Sequence, residues 1–303
     1  MSGPVVVLAG GTGGAKLARG MLDLLGPERL VVIANTGDDV ELYGAYVSPD
    51  PDLVTFWLAD LIDGRGWGID GDTFAVMDGL RELGVEVWFN LGDRDLAFGI
   101  ERRRLLDDGV RLTDAHARLS RALGVSTPVL PMSDQPVRTW VGAHGRTWPF
   151  QEFMIVGRAA GPVDDVDFRG ARNASPTPEV LDAIKHARAI VVGPSNPVIS
   201  IGPILAVPGI AEALKASAAP VVAVSPIVKG EVLKPATIPF MQWAGHPLNS
   251  DGIAAFYGDL LDGLVADERT NAVPMLETDV LMADGAGRRR LAETALRFAE
   301  TLG

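Results

Sequence analysis

The sequence contains no cysteine. That excludes disulfides and thiol chemistry, and it fits a reducing compartment. Positive charge is also short: 27 Lys and Arg stand against 39 Asp and Glu, for a formal net charge of -12. Affinity for nucleic acid or an anionic membrane comes mainly from protein cations, so neither is expected as a partner. Local basic sites can still hold a small anion. The chain carries no apolar run of membrane-spanning length free of charge or helix breakers, and no basic segment followed by a cleavable apolar one; a cytoplasmic location is expected. Histidine is scarce, and His116 sits in a helical pattern with no companion at metal spacing, which marks it as structural. What the 303 residues do contain is 47% hydrophobic side chains and 35 glycines, enough for a large core in one domain or one domain with an insertion.

The chain is organised around its first thirty residues. Val5-Val6-Val7-Leu8-Ala9 is a β-branched, wholly apolar run and predicts a strand buried on both faces. Gly10-Gly11-Thr12-Gly13-Gly14-Ala15-Lys16 follows, a turn with little bulk between backbone and ligand. An amphipathic helix then runs to Leu25, its free N–H groups pointing back at the turn. Such a site suits a phosphate. It is not a Walker A loop, because Lys16 follows Ala15 and precedes Leu17. Nor is it the dinucleotide fingerprint, because Lys16 stands where the third glycine belongs. Leu30–Ala34 predicts a second strand, ending in Asn35-Thr36-Gly37-Asp38-Asp39. Adjacent carboxylates just past a strand end can hold Mg²⁺ or orient a hydroxyl; the structural alternative is an Asx-turn or a cap.

Further along, Ser48-Pro49-Asp50-Pro51-Asp52 leads into a helix expected to start near Asp52. Gly64 to Asp70 forms a glycine-rich loop that carries Trp67. A helix through Leu83 precedes a strand at Val85–Phe89, which places Trp88 within a strand. That strand ends in Asn90-Leu91-Gly92-Asp93-Arg94-Asp95-Leu96. Residues 96–178 read as a helical and hairpin insertion, with the turn Ala143-His144-Gly145 and short strands at Phe153–Val156 and Val163–Phe168. The parallel-sheet pattern returns with strands at 189–192 and 220–224 and helices at 207–214, 249–264 and 287–300. The first of these strands ends in the rigid, polar turn Gly193-Pro194-Ser195-Asn196-Pro197. Polar loops after apolar strands recur, and in a parallel sheet they converge on one edge. The expected fold is α/β: a Rossmann-like three-layer core of residues 1–95 and 179–303, with a mostly parallel sheet and the smaller insertion 96–178.

Together, Gly10–Leu17, Asn35–Asp39, Gly66-Trp67-Gly68, Leu91–Leu96, Pro131-Met132-Ser133-Asp134 and Gly193–Pro197 resemble the 2-phospho-L-lactate transferase family over nearly the whole chain, in the family's order. The resemblance implies a Mg²⁺-dependent cytoplasmic enzyme of deazaflavin coenzyme F-420 biosynthesis, typically a dimer. Such an enzyme moves a phospholactyl or phosphoenolpyruvyl group from a guanosine diphosphate-linked donor to the terminal ribityl hydroxyl of the deazaflavin Fo, releasing GMP. On this sequence the implied roles are phosphate binding by Gly11, Thr12, Gly13, Gly14, Lys16 and Arg94, and nucleotide contact by Ser195 and Asn196. Asp38, Asp39 and Asp93 would serve the chemistry, the first two holding the metal, with Trp67 and Trp88 against the deazaflavin. Lys229 and Pro235 depart from the glycines expected near those positions, which bears on donor preference. One alternative is a phosphate-sugar nucleotide-binding regulator without transfer chemistry. The other, a nicotinamide oxidoreductase, is disfavoured by the failed fingerprint and by the paired acids.

Overall fold

A computed structural model of the chain describes residues 3–303. Its centre is a seven-stranded sheet: β1 (Val5–Ala9), β2 (Leu30–Ala34), β3 (Val129–Pro131), β4 (Ala189–Val192), β5 (Val221–Val224), β6 (Gly263–Ala266) and β7 (Met275–Glu277), in the order β7-β6-β5-β4-β1-β2-β3. Every pairing is parallel. Alternate residues along the strands belong to two different cores. Val6, Leu8, Ile33, Ile190, Val192 and Leu264 face one side; Val5, Val7, Val32, Val191, Val222 and Val265 face the other. This period of two, with no polar residue in β1, is why the strand is buried on both faces.

Helices α1 (Gly11–Leu25), α2 (Pro49–Leu58) and α5 (Gly285–Leu302) cover the second face, through Leu17, Met21, Val54, Leu58, Leu291 and Leu296. The first face packs on the helices at 178–185 and 250–257 and on a three-stranded antiparallel sheet, 146–149 against 138–143 against 163–169. The fold is the expected three-layer α/β arrangement. Between α2 and β3 lie α3 (Asp93–Asp107) and α4 (Leu112–Ala122). Because β3 pairs with β2, the central sheet reaches into the span 96–178 read as an insertion.

Several local expectations are corrected. Val85–Phe89 is not a strand. The sheet edge beside β2 is taken by β3, and Val87 and Phe89 pack instead on Ala45, Val47, Met77 and Leu96. Phe153–Val156 lies mostly in a helix, Phe150–Ile155, because Phe150 and Phe153 share one buried helical face and Phe153 meets Trp148 and Phe240 edge-on. The helix expected over 249–264 stops at Tyr257, before Gly258 at φ +56°, and the chain enters the sheet as β6. Gly263 permits this entry, since a Cβ there would lie 2.6 Å from the Phe298 ring. The polar turn at 193–196 runs into helical turns at Pro197–Ile201 and Gly202–Ala206, and the helix expected at 207–214 spans Ile210–Ala216. Finally, α2 begins at Pro49, so Asp50 and Asp52 fall inside its first turn, both buried.

Candidate active site

The sheet order reverses between β1 and β4, the place where parallel sheets open a crevice beyond their carboxyl ends. The segments after those two strands touch there, and the stretch Gly11–Lys16, expected as a turn before the helix, forms the first residues of α1 itself. A Cβ on Gly13 would lie 1.9 Å from the Pro194 carbonyl oxygen, and one on Gly193 would lie 2.9 Å from the Gly14 Cα. Only glycine permits this approach, and Gly11 also needs its φ of +60°. The glycine turn and Ser195-Asn196 are therefore one surface, as expected from the sequence.

Next to it, Asn35 organises the end of β2. Its Oδ1 accepts from the Gly37 amide at 2.7 Å, and its Nδ2 donates to Asp50 Oδ2 at 2.9 Å. Asp50 Oδ1 in turn accepts from the Gly11 amide at 2.6 Å. The Asx-turn thus falls on Asn35, and Asp50 caps the start of α1. Asp38 and Asp39 are left free of either duty. Both are buried, and each has an orphaned carboxylate oxygen: Asp38 Oδ1 and Asp39 Oδ2 have no partner, nor do the neighbouring hydroxyls of Thr36 and Thr139. Asp39 Oδ1 accepts from Ser48 Oγ at 2.7 Å.

Burial drives the electrostatics. It holds Asp38 well above the usual carboxylate range, with the Asp50 and Asp39 charges adding to it and the Asn35 and Thr139 side chains tempering it. Burial pushes Asp39 up to about 7, against the pull of Arg138. Asp50 is raised too, again chiefly by burial. Three buried acids here resist ionisation, and two of them, the adjacent Asp38 and Asp39, each keep an unpartnered oxygen, a donor pair suited to a cation. Among the described residues no cluster of three or more Asp, Glu or His side chains has metal-binding geometry. A metal here would rest on two carboxylates and need water and ligand oxygens to complete its shell, which is how Mg²⁺ is commonly held.

Asp38 and Asp39 form one wall of a cleft of about 220 Å³, lined also by Trp88, Arg138, Trp140, Phe150 and Gln151. Arg138 donates to the Tyr46 hydroxyl at 3.1 Å, which fixes its guanidinium near Asp39. The cleft is lined by both acidic and aromatic side chains.

The sequence model of the 2-phospho-L-lactate transferase CofD family matches residues 5–284. The chain belongs to this family. It is 41% identical over 269 residues, 88% of each chain, to a protein of Methanosarcina mazei named 2-phospho-L-lactate transferase. It is 39% identical over 318 residues, 98% of each chain, to a protein of Kitasatospora aureofaciens named phosphoenolpyruvate transferase. A solved structure from Bacillus halodurans, of the UPF0052 family, superposes with a TM-score of 0.64 over 98% of this chain and 99% of its own, at 18% identity; that likeness concerns the fold. The chain is thus a CofD-family transferase.

Within this CofD-family site the remaining sequence candidates separate. Trp88, placed by sequence in a strand, is instead half-buried in an irregular segment and faces the cleft. Trp67 does not line this cleft: it is 58% exposed, stacked by Arg65 at 4.4 Å, in a loop whose Gly66 approaches Thr12 and Trp57. Asp93 is not brought to Asp38 and Asp39. It accepts from Thr73 Oγ1 and from the Ala75 and Val76 amides, which caps the helix at 75–82 and lowers its own pKa. Reciprocally, Asp72 accepts from the Arg94 amide at the start of α3. The Arg94 side chain bonds the Asp70 carbonyl and lines a separate apolar cavity of about 280 Å³ with Phe56, Ile69 and Phe98. Asn196 Oδ1 accepts from the Val198 and Ile199 amides, so half of its amide group is committed to the loop. Ser195 Oγ is buried without a partner beside Gly14. Lys16 points to the Trp57 ring, its ammonium 5.8 Å from the ring centre.

Sequence reading missed Asp50, Arg138, Trp140 and Lys234. Lys234 donates to Thr12 Oγ1 at 2.7 Å from 222 residues away. Asp50 had one legible signal, the Pro-Asp-Pro-Asp start of a helix, where an acid in the first turn is ordinary.

Proposed function

We propose that this chain transfers a phospholactyl or phosphoenolpyruvyl group from a guanosine diphosphate-linked donor to the terminal ribityl hydroxyl of Fo and releases GMP. The observation that carries the reading is the pair of unpartnered carboxylate oxygens on Asp38 and Asp39, which line the cleft that Trp88 also lines. The naming of relatives for both phospholactate and phosphoenolpyruvate supports the reaction class.

In this reading the donor's diphosphate lies along Gly11 to Gly14 and Lys16, its guanosine reaches Ser195 and Asn196, and Fo stacks on Trp88. The acceptor oxygen attacks the phosphorus that carries the lactyl or enolpyruvyl group, and the bridging oxygen leaves with GMP. The hydroxyl proton is released as the new P–O bond forms, and full deprotonation before attack is not required. Asp38 and Asp39 would hold Mg²⁺, which when bound supplies charge neutralisation on the diphosphate. The rest of the work is positioning: a substituted phosphoryl group and a hydroxyl must be held in line. The reading includes a homodimer, which sedimentation velocity tests.

The deciding experiment incubates the chain with Fo, Mg²⁺ and either guanylylated donor. The expected result is a phosphodiester product with stoichiometric GMP; no GMP above the control lacking Fo, with both donors, rejects the reading. Asp38→Asn and Asp39→Asn are expected to lose at least about a hundredfold in turnover while remaining folded.

A further inference from the structure

Around the start of α1 three cations gather, Lys16, Lys234 and Arg288. Lys16, on α1, and Arg288, on α5, both approach the Trp57 ring, at 5.8 and 5.0 Å. Lys234 reaches the turn itself through Thr12. None of the three forms an ion pair among the described residues, although this is an acidic chain in which many other arginines do. The carboxylate that most affects Lys234 is Asp50, and both of its oxygens already serve Gly11 and Asn35. Arg288 Nε is buried with no partner.

The gathering is built into the helix packing. A Cβ on Gly20 would lie 2.4 Å from the Arg288 carbonyl oxygen, so α5 crosses α1 in direct backbone contact there. Gly20 stands one turn after Lys16 on the same helical face. The crossing therefore pins Arg288 beside Lys16. Burial, and then the Arg288 charge, lower the Lys16 pKa, and Lys16 in turn helps to lower that of Lys234. Like charges held together in a half-buried place are unfavourable until an anion joins them. Ser195, 5% exposed with an unpartnered Oγ, faces the same turn from the β4 side.

We propose that Lys16, Lys234 and Arg288 form a three-cation cradle, reaching from Thr12 to Trp57, that grips the donor's diphosphate and distinguishes it from the monophosphate product. This rests on the transferase reading given above. Arg288 lies four residues beyond the stretch matched by the family. Two phosphates engage all three cations and one phosphate engages fewer, so the cradle holds the donor and lets GMP go once the bridging bond has broken.

The test is titration calorimetry of GDP, GMP and inorganic diphosphate against wild type, Arg288→Met and Arg288→Lys, each checked for folding by thermal unfolding. Arg288→Met is expected to weaken GDP and diphosphate by about tenfold or more, the worth of a charged hydrogen bond, and GMP by clearly less. Arg288→Lys should recover part of the loss. If Arg288→Met does not fold, Lys234→Met supplies the same comparison. A folded variant that binds GDP like wild type, or loses GDP and GMP equally, overturns the cradle. So does a wild type that binds neither GDP nor diphosphate. A wild type that shows the diphosphate discrimination but transfers nothing to Fo leaves the cradle standing and rejects the transferase reading alone.

Discussion

Replacing Asp39 by Asn should stabilise the ligand-free protein while destroying its activity. Asp39 is 3% exposed, and its carboxyl is raised from an ordinary 3.8 to about 7. Below pH 4 the group is protonated in folded and unfolded chains alike. As pH rises from 4 to 7 the unfolded chain releases the proton and the folded chain keeps it, so stability falls across that window. Above 7 the folded carboxyl ionises too and the loss is complete. A difference of about three pH units corresponds to about 4 kcal/mol at 1.36 kcal/mol each. Asn retains the acceptor for Ser48 Oγ and removes the charge. At pH 8, in chelator, Asp39→Asn should therefore unfold several degrees above wild type, at roughly 2 °C per kcal/mol for a chain of this size; at pH 4 the two should nearly coincide. Millimolar Mg²⁺ should then raise the wild-type midpoint and leave the variant unmoved, since a ligand stabilises only the state that binds it. Thermal unfolding at the two pH values, with and without Mg²⁺, provides the measurement. A variant no more stable than wild type at pH 8 without metal would refute the claim that Asp39 is a buried charge awaiting a cation.

Three further outcomes are expected. Trp88→Ala should raise the KM for the deazaflavin by about tenfold, within the range for stacking of a flat ring on an aromatic side chain, and leave the donor KM unchanged; Trp67→Ala should leave the acceptor KM where it was. Gly13→Ala forces a methyl into the Pro194 carbonyl and should cost about 1–3 kcal/mol or more in thermal unfolding, with GMP release lost as the two turns separate. Arg102→Met should cost about 3–5 kcal/mol by stranding Asp52: Arg102 is fully buried, its guanidinium donates to both Asp52 oxygens, and one nitrogen lies 3.4 Å from His116 Nδ1. Adding Asp52→Asn should restore part of that loss, as measured by chemical denaturation.

The parts of the fold that were legible share a physical cause. The runs Val5–Ala9, Leu30–Ala34, Ala189–Val192 and Val221–Val224 are apolar at every position and mostly β-branched, a pattern suited to a strand covered on both faces. The turn Ala143-His144-Gly145 sits between alternating runs and became a hairpin. Val85–Phe89 is mostly apolar but carries Glu86, and the place beside β2 goes to β3 instead. Phe150 and Phe153 fit a helical spacing as well as an extended one, and their buried neighbours chose the helix. Apolarity over four or five residues reports burial; it does not report which partner is available.

The site divides in the same way. The sequence by itself determined the glycine turn, the acidic pair after β2 and the polar turn after β4, because each is contiguous and its chemistry depends on adjacent residues. It also determined the family, through the order of these motifs. Tertiary structure alone decided that Asn35 takes the Asx-turn and Asp50 the helix cap, so that Asp38 and Asp39 keep free oxygens. It also decided that Asp93 caps a helix, that Trp88 and Arg138 line the same cleft as the acids, and that Lys234 and Arg288 join Lys16. These pairings span from 15 residues, between Asn35 and Asp50, to 222, between Thr12 and Lys234. A residue's charge and size are local properties. Its burial, and hence its pKa and its unmet need for a partner, exists only once distant segments have closed over it.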